Sequence, residues 1–289
     1  MSEASAPASS STPAIHISGL RHTYPGGFTA LDGVNLDCGI GLYGLLGPNG
    51  AGKSTLMRII CTLIDPTEGR VEVCGYDVRK SQREVRAQLG YLPQDFGGWR
   101  LHRVEEVLDT LAQLSGMTDK KARKLRVREV LAQVGLEEAA DKKVKKLSGG
   151  MVRRLGVAQA LVHEPAVLVV DEPTVGLDPE ERIRFRQLMT DIGRDRTILL
   201  STHIVADLGA SCREIALLDD AHIVFQGAPS QLLERAAGNV FQITQPGAEA
   251  EKTEMTYEIV SRTPGSAGAV TLRGVAGAAR RDHGDRDRV

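Results

Sequence analysis

Clustered cysteine is missing from this chain of 289 residues. Cys38, Cys61, Cys74 and Cys212 are scattered, with no C-x-x-C pair among them. That excludes a cysteine metal site and a secreted disulfide scaffold, both of which need closely spaced sulfur. What remains is a set of reduced, small apolar fillers in a cytosolic protein. Long apolar runs are missing too. A membrane helix needs about 20 mostly apolar residues, and the nearest candidate, the uncharged run 38–52, is shorter and broken by Gly47, Pro48 and Asn49. Residues 1–13 have neither a basic start nor an apolar stretch, so they read as a disordered tail and not as a signal peptide. An excess of charge of one sign is also missing. The formal net charge is −1, and no global field draws the molecule to nucleic acid or anionic lipid. Any anion it binds must be held by a local constellation.

What is present is ordinary in bulk. Apolar residues make up 42% and charged residues 25% of the chain, as in soluble globular proteins. The length suits one large domain with a small appendage. From Ala14, short apolar stretches punctuated by glycine predict strands at 15–17, 33–36, 42–46, 71–74 and 89–92. A helix is predicted over 53–64, stopped by Asp65-Pro66. Residues 102–135 are charged and helix-forming, with Val104, Val107, Leu108 and Leu111 spaced for one face. The basic run 120–128 within them reads as a solvated helix face, because acidic residues interleave and no aromatics accompany it. Strands return at 167–170, 198–200, 215–218 and 222–225. The alternation implies an α/β fold, a mainly parallel sheet covered by helices, with the helical block of about 95–163 inserted between the two halves of the sheet. This main domain is expected to span 14–238. Weak alternation at 241–244, 257–260 and 270–272 predicts a small appendage over 239–275, followed by a disordered tail at 276–289.

Two local patterns carry chemistry. Gly47-Pro48-Asn49-Gly50-Ala51-Gly52-Lys53-Ser54 fits G-x-x-x-x-G-K-[ST], with a strand before it and a helix after it. Its glycines let the backbone wrap a phosphate with N–H groups pointing inward, at the positive end of the next helix. Lys53 then reaches the β- and γ-phosphates, the Ser54 hydroxyl joins a Mg²⁺ shell, and Thr55 lies beside them. The apolar strand 167–170 ends in Asp171-Glu172. In such a pair Asp171 holds Mg²⁺, through water, and Glu172 orients and deprotonates the attacking water.

With those motifs in place the chain resembles the ATP-binding-cassette family over about residues 14–235. Leu147-Ser148-Gly149-Gly150 resembles the family's signature motif, and Ser148 at a helix start with Gly149 and Gly150 makes a second anion site. Tyr24 resembles the aromatic that stacks on adenine, Gln94 in Tyr-Leu-Pro-Gln the Q-loop glutamine and a Mg²⁺ or water ligand, and Gly176-Leu177-Asp178 the D-loop. His203 in Ser-Thr-His resembles the switch histidine at the γ-phosphate. Asp178-Pro179 reads equally as an ordinary helix cap.

The resemblance implies a P-loop fold and an ATPase using ATP and Mg²⁺. It also implies a head-to-tail homodimer in which Lys53 of one subunit and Ser148 of the other enclose each ATP. A separate transmembrane permease is the expected partner, nucleic acid is not, and the expected location is the cytoplasmic face of the cell membrane. Phe96 and Trp99 are candidate docking residues for that permease. Met151 departs from the family's usual glutamine and implies an altered nucleotide contact, since a thioether cannot replace an amide's hydrogen bonds. Gly-Gly-Met followed by Arg153-Arg154-Leu155-Gly156 resembles the drug-export branch. The competing expectations are an import transporter and a non-transport cassette ATPase acting on ribosomes or DNA.

Overall fold

The computed structural model describes residues 13–97, 99–208, 212–264 and 269–279. It divides into two compact units, Met1–Pro229 and Ser230–Val289. The first unit runs β1 (Ile15–Thr23), β2 (Thr29–Cys38), β3 (Gly41–Leu46), α1 (Lys53–Ile60), β4 (Glu68–Val73), β5 (Tyr76–Asp77), α2 (Gln82–Gln88) and β6 (Leu89–Leu92). Three helices follow, α3 (Val104–Leu114), α4 (Lys120–Gln133) and α5 (Gly149–Leu161). Then come β7 (Val167–Asp171), α6 (Pro179–Ile192), β8 (Thr197–Thr202), α7 (Val205–Leu208), β9 (Glu214–Asp219) and β10 (His222–Gly227).

Six strands form the central sheet in the order β10-β9-β3-β8-β7-β6. All neighbours are parallel except the β10–β9 edge pair. The helical block α3–α5 is inserted between β6 and β7, two neighbouring strands of that one sheet. Strands buried on both faces read as nearly continuous apolar runs, and every residue of β7 and β8 is buried. Their side chains alternate between two cores. Leu168, Val170, Ile198 and Leu200 join the helices of the inserted block, including Val107 and Leu108 of α3 and Leu155 of α5. Val167, Val169 and Leu199 face the other way, onto α1 and the N-terminal strands.

Several expectations need correcting. The N-terminal strands do not extend the parallel sheet. They make a second, antiparallel sheet of order β2-β1-β4-β5, whose apolar side packs on α1 and the central sheet through Ile15, Ile17, Val34 and Val71. Helix α1 stops at Ile60, ahead of Asp65-Pro66. Thr62 turns left-handed at φ 57°, and its N–H bonds to Ile59 O while that of Leu63 bonds to Arg58 O. This is a Schellman stop, and it satisfies the last carbonyls before the proline is reached. The 102–135 stretch splits into α3 and α4 at Gly116, which has φ 96°, and Asp119 then caps α4 through the N–H groups of Lys121 and Ala122.

The second unit has helix α8 (Pro229–Ala236), β11 (Val240–Pro246), α9 (Gly247–Thr256), β12 (Tyr257–Pro264) and β13 (Ala269–Ala279). Its sheet has order β11-β13-β12, antiparallel throughout, over a small core of Ala250, Val270 and Leu272. The compact boundary lies at Pro229, earlier than the expected 238, and α8 has no buried residues. The expected tail at 276–289 begins too soon, since β13 keeps pairing to Ala279, opposite Tyr257. The rest of it, 280–289, and residues 1–12 of the N-terminal tail lie outside the described residues.

Candidate active site

Parallel strands put their C-terminal ends on one edge of the sheet, where doubly wound folds bind ligands. β3, β8 and β7 are adjacent and in register, with Leu46 beside Thr202 and Ser201 beside Asp171. The loop 47–52 leaves β3 at that edge, Asp171-Glu172 leaves β7, and His203 follows β8. Three separated sequence motifs therefore meet by strand register alone.

Backbone crowding dictates the loop's glycines. A Cβ on Gly47 would lie 2.2 Å from the Leu218 carbonyl oxygen of β9. Gly52 has φ 106°, and a Cβ there would lie 2.3 Å from Ala30 O. Gly52 also caps α1 with no side-chain hydrogen bond, so the helix's first-turn N–H groups receive no side-chain acceptor. Lys53 is buried and donates to Gly47 O at 2.7 Å and Pro48 O at 3.0 Å.

Its ammonium also stands 3.3 Å from Glu172 Oε1, an ion pair with both side chains buried. That oxygen has no hydrogen bond of its own among the described residues. The other oxygen, Oε2, is 2.9 Å from His203 Nδ1. Glu172 sits at φ 45°, a left-handed conformation that is uncommon outside glycine and that collects at functional sites. Ser201, fully buried, fixes the pair from below. It accepts from the Glu172 N–H at 2.9 Å and donates to Asp171 Oδ1 at 2.5 Å. The sequence offers Ser201 only as a neighbour of His203, and its role becomes visible through the β7–β8 register.

A cleft of about 530 Å³ opens here, lined among others by Asn49, Gly50, Gly52, Lys53, Ser54, Thr55, Gln94, Glu172 and His203. Tyr24 does not line it. The Tyr24 hydroxyl is 3.1 Å from Thr55 Oγ1 and its ring meets His22 edge-on. Phe28, four residues on in the β1–β2 turn, lines the cleft with its ring exposed. Nothing in the sequence reading singled out Phe28, although an aromatic just after Pro-Gly-Gly was there to be weighed.

Ser148, Gly149, Gly150 and Asp178 do not line this cleft. Ser148 caps α5, accepting from the Met151 N–H at 3.3 Å, and the Met151 side chain packs against the core of the helical block. The Glu181 carboxylate lies over Gly150, in the space a Cβ there would take. Asp178 caps α6 by accepting from the Glu181 N–H at 2.9 Å. Phe96 packs on the core, while Trp99 is 38% exposed.

Comparison with known proteins agrees with this geometry. The family described as ABC transporter matches residues 31–175. The Nod factor export ATP-binding protein I of Burkholderia orbicola is 38% identical over 216 residues, 74% of this chain and 71% of that protein. The probable multidrug ABC transporter ATP-binding protein YbhF of Escherichia coli is 36% identical over 235 residues, 80% of this chain and 40% of that protein. Among solved structures, the dimeric post-hydrolysis ATP-binding cassette MJ0796 bound to ADP and Pi superposes with a TM-score of 0.67 at 26% identity, covering 74% of this chain and 98% of that one. The chain belongs to the ABC transporter family and is an ATP-binding, ATP-hydrolysing subunit.

Ser201→Ala strips an acceptor from the buried Glu172 N–H and a donor from Asp171. Each unsatisfied buried group costs about 1–3 kcal/mol. The urea midpoint of unfolding should fall accordingly, and an unchanged midpoint would show that these bonds hold nothing in place.

Proposed function

We propose that this chain energises export through a separate transmembrane subunit, as one half of a pair of cassettes. The observation that carries the catalytic part is the Lys53–Glu172–His203 constellation in a single cleft. The β- and γ-phosphates lie on the N–H groups of residues 49–55, with Lys53 turned from the loop carbonyls toward them. The aromatic turn Tyr24–Phe28 contacts the adenine. Glu172 takes the proton of the attacking water, an assignment supported by its buried, unbonded Oε1. His203 orients Glu172 and faces the γ-phosphate.

The residues present suit Mg²⁺. Ser54 and Asp171 offer hard oxygen donors, and Ser201 fixes the Asp171 carboxylate. The Gln94 amide, which also lines the cleft, would add a third oxygen donor, with phosphate and water oxygens completing the shell. When bound, Mg²⁺ neutralises charge developing on the phosphate oxygens.

Ser148, Gly149, Gly150 and Asp178 lie away from the cleft, which supports their use on a second cassette's nucleotide in a head-to-tail dimer. Export is supported by the names of relatives, a Nod factor exporter and a multidrug transporter. No helix among the described residues is long and apolar enough to cross a membrane, so attachment at the cytoplasmic face runs through the permease. Trp99, exposed beside the Gln94 loop, is the docking residue of choice. Phe96 is committed to the core.

Replacing Glu172 with Gln keeps the shape and removes the base. ATP turnover should fall by at least about 100-fold with ATP binding retained, and ATP should now trap a dimer on size-exclusion chromatography. Wild-type turnover in the variant would sink the catalytic assignment. Co-expression with a candidate permease tests the assembly. The chain should co-purify with membranes only when that partner is present, and Trp99→Asp should weaken the association. Co-purification with ribosomes or DNA and with no membrane protein would overturn the transport reading.

A further inference from the structure

We propose that Arg153 is a positioning residue that ties the loop carrying Gln94 to helix α5, so that what Gln94 senses in the cleft reaches the Ser148 end of that helix. The inference rests on the nucleotide reading above. It starts from two adjacent arginines with different duties. Arg154 turns to the end of α4, donating to Gly135 O at 2.9 Å and Val134 O at 3.4 Å, inside the helical block. Arg153 turns the other way. Its Nη1 donates to Gln94 O at 2.7 Å and Pro93 O at 3.4 Å, a charge-assisted bond to the backbone of the residue whose side chain lines the cleft. Burial lowers the Arg153 pKa and nearby Asp95 raises it, and guanidinium stays charged in proteins.

The link does not stand alone. Arg153, Gly156 and Ala160 are spaced i, i+3, i+7, one face of α5. A Cβ on Gly156 would fall 2.6 Å from Leu92 Cδ1 and 3.3 Å from Phe96 Cδ1. A Cβ on Gly90 would fall 2.1 Å from Ala160 O. Along this face α5 therefore rests on β6 and on the loop 93–96 with no room for another atom. The packed glycine contacts hold the strand to the helix. Among the described residues, Arg153 gives α5 its hydrogen-bonded hold on the backbone of Pro93 and Gln94. It lies five residues from Ser148, so a shift of Gln94 toward a nucleotide pulls on the first turns of α5, and closeness in a packed network makes that transfer direct.

Hydrogen exchange in the Glu172→Gln chain, held below the concentration at which Mg-ATP traps its dimer and checked to be monomeric by light scattering, separates a failure of this link from a failure of the nucleotide reading. Mg-ATP should slow exchange at residues 49–54 and alter it at 149–155. In Glu172→Gln/Arg153→Ala, protection at 49–54 should persist while the response at 149–155 shrinks by about tenfold, the factor set by losing a charge-assisted hydrogen bond. Arg153→Lys, which keeps one charged donor, should restore at least half of it. If the alanine variant does not fold, Arg153→Gln serves in the same comparison. A full response at 149–155 without Arg153, or none in the parent chain while 49–54 are protected, overturns the proposal. Absence of protection at 49–54 in the parent chain overturns the nucleotide reading itself.

Discussion

A buried carboxylate must be compensated, and in this molecule the compensation organises the site. Glu172 has Lys53 on one oxygen and His203 on the other; Glu172 and His203 directly follow β7 and β8, and Lys53 opens α1 at the end of the loop that leaves β3. Neither partner is near Glu172 in sequence. They meet because three parallel strands lie side by side in register, and a slip of one residue would turn every side chain to the opposite core. Sheet register, glycine-lined loop and the Lys53–Glu172–His203 cluster are thus one constraint seen at three scales. Breaking a buried pair by removing one partner is costly, about 3–5 kcal/mol, because the other charge is left unpaired.

The same arrangement explains what a nucleotide has to do. In this structure two loop carbonyls and Glu172 surround the Lys53 ammonium. Anything that drew Lys53 outward would take the ammonium from both the loop carbonyls and Glu172 at once, because one group holds both sets of contacts. Gln94 lines the same cleft, and Ser148 begins a helix whose Arg153 holds the backbone of Pro93 and Gln94, so the cleft and the start of α5 share a frame.

The sequence disclosed motifs well and non-local geometry poorly. The phosphate loop, Asp171-Glu172, Gln94 and His203 were legible because each couples a residue type to a strand end or a glycine turn. The exact span of β6 was readable from its short apolar run. Ser201 was not, since a buried serine's partner depends on which strand lies beside it. The separate antiparallel sheet was hidden for the same reason, because alternation marks a strand and says nothing of its neighbour. Helix α1 ended early through a left-handed threonine, a choice the backbone makes to satisfy its last carbonyls and that composition does not announce. Phe28 was overlooked beside the more familiar Tyr24. Asp178 admitted two readings, and its cap on α6 is the one seen directly, compatible with a further role toward a partner.

The pairing of Lys53 with Glu172 is the central claim, and a double-mutant cycle on the nucleotide-free protein tests it most directly. Unfolding free energies would be measured for the wild type, Lys53→Met, Glu172→Gln and the double variant. Each single change should strand a buried charge and destabilise the fold, and the double change should recover part of the loss, leaving a coupling of about 1–3 kcal/mol. Additive losses, with coupling near zero, would contradict an organising ion pair at the head of the sheet.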